Sequence, residues 1–183
     1  MIKNLCVAKY FFFLLFVFHL AYAEEGEMDK ISDKSVEWEY FSDQVMGGVS
    51  TGDLSVIGAP NRQFYRLTGN VSTKNNGGFI QFRANISGLD DTVRGVSLKV
   101  RGNGEDYYIF IRTTGTFLPW HYYKVAFPTT SNWKSLKIDL KDFKRSSNFL
   151  RKSVLAESIR SIGIVAFGKN HKASIDVAMV DFY

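Results

Sequence analysis

Apolar and polar residues alternate along three stretches of the chain, 80–86, 96–101 and 136–140. A period of two places every second side chain on the same face of a strand, so each stretch predicts a β-strand with one face toward a core. Two further stretches, 107–111 and 162–167, are apolar at both parities. The second of these predicts a central strand that is covered on both faces.

Similar short runs, separated by Gly, Asn, Asp and Pro, continue through most of the chain. The other predicted strands are 36–41, 63–71, 122–127 and 173–182. Helical spacing is confined to 148–158 (NFLRKSVLAES), which predicts one short helix. About nine or ten strands around one core predict an all-β domain, either a two-sheet sandwich or a jelly roll.

The first 23 residues have the three parts of a secretory signal peptide. Two lysines precede an apolar run at 11–20, and Ala21-Tyr22-Ala23 forms a small-x-small cleavage site before Glu24. We therefore expect an exported protein, periplasmic or secreted, with no stable membrane span after cleavage. Residues 24–35 are charged and lack periodicity, so they predict a flexible leader before a domain at 36–183.

The composition changes once the signal is set aside. The full chain has 183 residues, a formal charge of +5 and one cysteine, whereas cleavage would leave 160 residues, a charge of +3 and no cysteine because Cys6 is removed. Thiol nucleophiles and cysteine-bound metals are thus excluded, and His121 and His171 are too few for a multi-histidine metal centre. We expect no metal and no cofactor, and no nucleic-acid partner because the basic residues form no stripe.

Glycine pairs mark two polar stretches, 41–50 (FSDQVMGGVS) and 71–79 (VSTKNNGGF). Paired glycines permit positive φ angles and close backbone contacts, and Asp, Asn and Ser form tight turns. One interpretation makes the two loops neighbours that present polar oxygens to a ligand or to a hard cation such as Ca²⁺. The other makes them structural turns at the edge of the sandwich. The candidate residues are Asp43, Gln44, Gly47, Gly48, Ser50, Asn75, Asn76, Gly77 and Gly78.

An aromatic cluster, 117–124 (FLPWHYYK), supplies two further candidates, Trp120 and Tyr122. It follows a strand whose outward parity carries Tyr108 and Phe110. If these side chains share a face, they form a platform that could stack on sugar rings or contact an apolar partner. The alternative is a minor core in which loops cover the second face of one sheet.

Catalytic residues are present but are not organised into a known motif. There is no GxSxG nucleophile elbow, and the acidic pairs at 90–91 and 105–106 lie in turn-like segments. A hydrolase that uses Asp43 or Asp106 stays the least supported alternative, and we predict that the protein is not an enzyme.

The glycine-pair motifs resemble those of the complex I intermediate-associated protein 30 family. The resemblance continues through 95–104 (GVSLKVRGNG), through Trp133 with 139–143, and into the last strand, so it covers about residues 36–183. Arg101 lies in the first of these stretches and joins the candidate binding residues.

This resemblance implies a galactose-binding-like jelly-roll sandwich, in agreement with the strand pattern. It also implies a protein-binding role, because mitochondrial members of the family assist the assembly of respiratory complex I and are not known as enzymes. Two departures concern the partner: the export signal, and the lack of an Arg-Gly segment within 144–158. The sequence thus predicts a non-catalytic, exported module that binds a protein partner through the Asp43/Asn75 loops or the Trp120 face. The alternative is a carbohydrate-binding module that uses an aromatic face.

Overall fold

The computed structural model of the protein describes residues 36–59 and 62–183. Eleven strands in this part of the chain form two antiparallel sheets. The six-stranded sheet contains, in spatial order, β1 (Trp38–Ser42), β4 (Phe79–Asn85), β10 (Ile159–Phe167), β6 (Asp106–Thr113), β7 (Tyr123–Pro128) and β9 (Lys144–Arg145). The five-stranded sheet contains β2 (Thr51–Ile57), β3 (Phe64–Val71), β11 (His171–Phe182), β5 (Gly95–Gly102) and β8 (Lys134–Asp139). The all-β sandwich is therefore confirmed, whereas the predicted signal peptide and leader lie outside the described residues.

The core lies between the two sheets and is built from the alternating residues. Its largest fully buried side chains include Leu67, Ile80, Phe82, Leu98 and Tyr107. Each buried side chain of this size stabilises the fold by about 1.5–3 kcal/mol, so the period-two pattern is the main source of stability. The predicted central strand is also confirmed, since β10 lies between β4 and β6 and its residues 161–166 are all buried.

Two of the eleven strands, β2 and β9, were not predicted. β2 is an edge strand that pairs with β3 alone, and most of its residues are partly or fully exposed. An edge strand with little burial needs no clear apolar alternation, so its sequence carries a weak signal. β9 has only two residues, and these pair with Tyr123 and Lys124.

The predicted helix at 148–158 is wrong. This segment is a loop that ends in a short 3₁₀ turn at Ala156–Ser158. Its apolar side chains Leu150, Val154 and Ala156 are each buried against the sandwich at a separate point of the loop. Their spacing in the sequence therefore resembles that of the buried face of a helix. Side chains from the sheet occupy its carbonyl groups instead: Tyr123 Oη donates to Arg151 O, and Arg145 Nη1 donates to Leu150 O.

The strand β10 runs from one end of the sandwich to the other. It begins beside the loops 114–122 and 146–158, where Thr114 N donates to Ser158 O. It ends beside the glycine-pair loops, where Gly168 N donates to Gly78 O. Its nine residues span about 27 Å. Across the described ranges, no helix combines the length and the apolar character needed to cross a bilayer.

Candidate functional site

The carboxylate of Asp43 joins the two glycine-pair loops. Ser50 N and Ser50 Oγ donate to it from the first loop, at 2.9 and 2.5 Å. Gly78 N and Phe79 N donate to it from the second loop, at 2.6 and 3.2 Å. Ser50 Oγ also accepts a hydrogen bond from Ser72 N at 2.9 Å, which adds another link between the loops. We call this arrangement the Asp43 clasp.

Asp43 is fully buried, yet its surroundings favour the charged form. Burial by itself raises the pKa of a carboxyl group, but the hydrogen bonds from the Ser50 hydroxyl and from the backbone N–H groups of Gly78, Ser50 and Phe79 outweigh it. The resulting pKa of Asp43 lies below the ordinary value, so the carboxylate is ionised at neutral pH.

Each glycine pair has one member that shapes the backbone and one that makes room for Asp43. Gly47 and Gly78 have φ angles of 87° and 131°, which disfavour other residues. A Cβ atom at Gly48 would lie 2.3 Å from Asp43 Cγ, and one at Gly77 would lie 2.4 Å from Asp43 Oδ2. The two motifs are therefore two halves of one clasp.

These contacts correct the interpretation in which the loops present Asp43 and Ser50 to a ligand or cation. Both residues are fully buried, and the Asp43 oxygens face N–H and O–H donors, which repel a cation. Asn75 and Asn76 are exposed, and Asn75 Nδ2 donates to Gly47 O. Gln44, also exposed, donates through Nε2 to Ser50 O. The remaining exposed side chains of the first loop are apolar: Val45, Met46 and Val49.

The second candidate surface lies on the outer side of the six-stranded sheet. Phe110 and Tyr122 stack at 4.1 Å between ring centroids, and Phe167 contacts Phe110 edge-on at 5.2 Å. Tyr108 contacts Phe167 at 5.6 Å, and all four rings are partly exposed. We call these four residues the outer aromatic face. The predicted platform containing Tyr122 is therefore present, and Lys124 Nζ lies 5.1 Å above the Phe167 ring.

Trp120 belongs to the loop beside this face rather than to the face itself. Trp120 is 60% exposed, and its ring centroid lies 6.4 Å from that of His121. The loop is held by Arg112, which donates to Leu118 O and Pro119 O, and by Ser146, whose Oγ donates to Trp120 O at 2.8 Å. Burial lowers the pKa of the Arg112 guanidinium, and the nearby positive charge of Arg83 lowers it further.

A groove of about 470 Å³ opens at the same end of the sandwich, between the loops 114–122 and 146–158. Two phenylalanines at its margin are almost fully exposed, Phe117 at 86% and Phe149 at 94%. We call this feature the end groove. Phe149 is not among the candidates predicted from the sequence, because the residue falls within the predicted helix at 148–158, although a phenylalanine within a polar loop is itself an unusual signal. The lining also includes Thr113, Tyr123, Leu150, Arg151 and Leu155.

Arg101, the last candidate, lies on the outer side of the five-stranded sheet, away from the other candidates. Its Nε donates to Asp176 Oδ2 at 2.7 Å, and Arg66 donates to the same carboxylate at 2.6 and 2.8 Å. Burial would raise the pKa of Asp176, but the two arginines lower it overall. Arg101 also lies 4.6 Å from the Trp133 ring centre, so its side chain is occupied by internal contacts.

The described residues contain no cluster of three or more His, Asp or Glu side chains that could hold a metal ion. Of the carboxylates considered for hydrolysis, Asp43 is enclosed in the clasp and Asp106 is exposed at the start of β6. Glu105 forms an ion pair with Lys169. The structure therefore shows two candidate surfaces, the end groove and the outer aromatic face, and the clasp lies at the end of the sandwich opposite the end groove.

The sandwich is similar in fold to carbohydrate-binding modules. The family 11 module from Clostridium thermocellum, solved with a β-1,3-1,4-mixed-linked tetrasaccharide, has a TM-score of 0.65 and 13% identity, over 79% of this chain and 87% of that module. A family 30 carbohydrate-binding module has a TM-score of 0.53 and 14% identity, over 74% of this chain and 91% of the module. At such low identity the similarity concerns the fold.

No curated protein sequence matches the chain. The model of the family described as complex I intermediate-associated protein 30 (CIA30) matches residues 27–177. This match includes both halves of the Asp43 clasp and ten of the eleven strands in full. The chain therefore belongs to the CIA30 family.

Proposed function

We propose that this protein is a non-catalytic module that binds a protein partner in the end groove. One observation carries the proposal: Phe117 and Phe149 are 86% and 94% exposed on either side of the groove. Exposing two large rings costs free energy in water, and clustered apolar side chains beside a concavity are typical of protein interaction sites. The membership of the CIA30 family supports a protein-binding role.

The groove is suited to binding because its margins are anchored. Arg112 holds the carbonyl groups of the first loop, and Arg145 donates to Asn148 O and Leu150 O in the second loop. A preformed site loses little conformational entropy on association, which favours affinity. Arg151 in the groove lining adds a positive charge, so the partner segment should combine an apolar side chain with a neighbouring acidic residue.

Photo-crosslinking can identify the partner and locate its site. A photoreactive phenylalanine analogue in place of Phe149 should capture a discrete protein from the compartment in which the chain is located. The same analogue in place of Val56, an exposed apolar residue on the edge strand β2, should not capture it. Equal capture at both positions would contradict a specific site.

Binding of the captured partner should then weaken at least about tenfold in the double variant F117S/F149S, because buried aromatic anchors carry much of the free energy of binding. V45S/M46S is the matched control, since it removes two exposed apolar side chains at the opposite end. Both variants should keep the wild-type unfolding midpoint. A loss that occurs only in V45S/M46S would contradict the proposal and would place the site on the glycine-pair loops.

We further propose that the module acts outside the cytoplasm, as a periplasmic or secreted protein. Lys3, Lys9, the apolar run at 11–20 and the Ala21-Tyr22-Ala23 site support this proposal. The mature protein should then begin at Glu24, which intact-mass measurement of the exported product can establish. Recovery of the full-length chain in the cytoplasmic fraction would contradict it.

Saccharide binding is the second candidate function, and the outer aromatic face is the observation that favours it. Stacked, partly exposed rings on a flat sheet offer apolar faces to the C–H groups of a sugar ring. The fold similarity to carbohydrate-binding modules is consistent with such a role. Measurable binding of any soluble polysaccharide would support this candidate, and its loss in Tyr122→Ala would assign it to this face.

A further inference from the structure

A row of residues crosses the outer side of the six-stranded sheet in register. Arg83 on β4 is opposite Gly163 on β10, Gly163 is opposite Phe110 on β6, and Phe110 is opposite Lys124 on β7, which is in turn opposite Lys144 on β9. Neighbouring strands are about 4.8 Å apart, so this row extends over about 19 Å. An aromatic ring thus has cationic side chains on both sides.

Among the described residues, the four cations of this surface have no carboxylate partner, in contrast to Arg66, Arg101, Lys141 and Lys169. Within the described part of the chain, Arg83, Arg112, Lys124 and Lys144 form no ion pair, and Lys124 instead lies above the rings of Tyr108 and Phe167. By contrast, Asp176 binds two arginines on the opposite sheet. Glu39 on the edge strand is opposite Arg83, but the two side chains form no ion pair. The Arg83 guanidinium instead lies 4.2 Å from the centre of the Phe41 ring.

Arg83 and Arg112 flank the central strand at its two smallest outward residues. Gly163 is opposite Arg83, and Ser161 is opposite Arg112. Both small residues are buried, and Gln81 Oε1 would lie 3.0 Å from a Cβ atom at Gly163, so side chains of the neighbouring strands cover the central strand here. Their charges interact, because Arg83 contributes to the lowered pKa of Arg112. Like charges held close together without a carboxylate favour binding of an external anion.

We propose that the outer aromatic face and its four cations bind an acidic oligosaccharide. The sugar rings stack on Phe110 and Tyr122, and a carboxylate or sulfate group of the chain is bound by Arg83 and Arg112. Lys124 and Lys144 bind a second anionic group along the row. This inference rests on the second candidate function, saccharide binding, and specifies that the saccharide is negatively charged.

Each part of this surface has a distinct role in recognition. Guanidinium groups bind planar carboxylates through two parallel hydrogen bonds, so Arg83 selects a charged sugar over a neutral one. Arg112 adds positive charge, because its Nη1 and Nη2 already donate to Leu118 O and Pro119 O. The rings provide affinity for the sugar itself. The acidic side chains Glu39 and Asp106 lie at two margins of the same surface, on the edge strand and at the start of β6. They confine the positive charge to the centre of the sheet. This positive area is too short to bind a long polyphosphate backbone.

Calorimetric titration with matched ligands tests the proposal. The charged ligands are an oligogalacturonate and a sulfated oligosaccharide, and the neutral ones are the methyl ester of the same oligogalacturonate and a mixed-linked β-glucan. At least one charged ligand should bind about tenfold or more tightly than the neutral ligands, and added salt should weaken it. In R83Q/K124Q this binding should weaken at least about tenfold.

K134Q/K172Q is the control, because it also removes two positive charges from exposed positions but leaves this surface intact. It should bind as the wild type does, and Lys144→Gln alone should give a smaller loss in the same direction as R83Q/K124Q. Equal binding of charged and neutral ligands would overturn the proposal and leave the second candidate function standing. No binding of any saccharide would overturn both. Equal or tighter binding of an oligothymidylate of the same charge would show a general polyanion surface and overturn the proposal as well.

Discussion

Asp43→Ala is expected to lower the free energy of unfolding by about 3–5 kcal/mol, the largest effect of any substitution considered for this protein. The substitution removes an ionised acceptor and leaves the buried donors Ser50 N and Gly78 N, and the half-buried Phe79 N, without this partner. Since a domain of this size is stable by about 5–15 kcal/mol, the variant can be close to unfolding. Asp43→Asn, which keeps one oxygen acceptor, should fold with a smaller loss of about 2 kcal/mol.

Denaturant titration measures the free energy of unfolding of Asp43→Asn, with Asp53→Asn as the matched control. Asp53 is exposed and binds Ser55, so its loss should cost less than about 0.5 kcal/mol. The difference between wild type and Asp43→Asn should also depend on pH. Because the folded protein lowers the pKa of Asp43, the contribution of Asp43 to stability is complete above the pKa of the unfolded chain, about 4, and is lost as the pH falls through the pKa of the folded protein. A difference that is constant down to strong acid would contradict an ionised clasp.

Gly48→Ala is expected to lower the free energy of unfolding by about 3 kcal/mol, although alanine is a conservative change. Its Cβ atom would lie 2.3 Å from the Cγ and Oδ1 atoms of Asp43, and the carboxylate cannot move aside because four hydrogen bonds hold it. The adjacent Gly47→Ala is the matched control. A Cβ at Gly47 has open space, but the φ angle of 87° is strained for alanine, so this variant should cost only about 1 kcal/mol.

A double-mutant cycle separates the packing of Gly48 from other effects of the substitution. An Asp43→Ala background removes the Cγ and Oδ1 contacts but keeps the Cβ of residue 43, which would lie 2.6 Å from the atom added at Gly48. Gly48→Ala should therefore cost less there than in the wild type without becoming neutral, which gives a coupling energy of about 1–2 kcal/mol between the two positions. Gly47→Ala should add its full cost in either background. If the effects of Gly48→Ala and Asp43→Ala are simply additive, the glycine is required for another reason.

The sequence predicted the strands well where burial differs between the two faces of a strand. Alternation at 80–86 and 96–101 corresponds to β4 and β5, because every second residue enters the core. Alternation did not predict β2, because the residues of this strand are largely exposed. The spacing of apolar residues also predicted a helix at 148–158 that does not exist, since Leu150 and Val154 are buried at separate points of a loop. A periodicity argument assumes a regular backbone, and this loop has none.

The candidate site was harder to predict than the fold because its roles depend on contacts between distant positions. The sequence identified both glycine pairs and suggested that they are neighbours. It could not show that Asp43 turns inward, since that depends on N–H groups 35 and 36 residues away. The role of Arg101 was equally hard to predict, because its partner Asp176 is 75 residues away in the sequence. The contact with Asp176 occupies the Arg101 side chain within the domain. Phe149 could have been noticed only by treating the segment as a loop.

The position of β10 and β11 has a consequence for the order of folding. β10 is an interior strand of the six-stranded sheet, and β11 is an interior strand of the five-stranded sheet, yet both lie in the last part of the sequence, at 159–182. Before they are synthesised, β4 has no link to β6 and β3 has none to β5, so each sheet consists of two separate fragments with open edges. Assembly of both sheets therefore depends on long-range pairing late in synthesis, a topology associated with slow folding and with transient aggregation-prone edges. The last 25 residues thus act as the closing element of the whole domain.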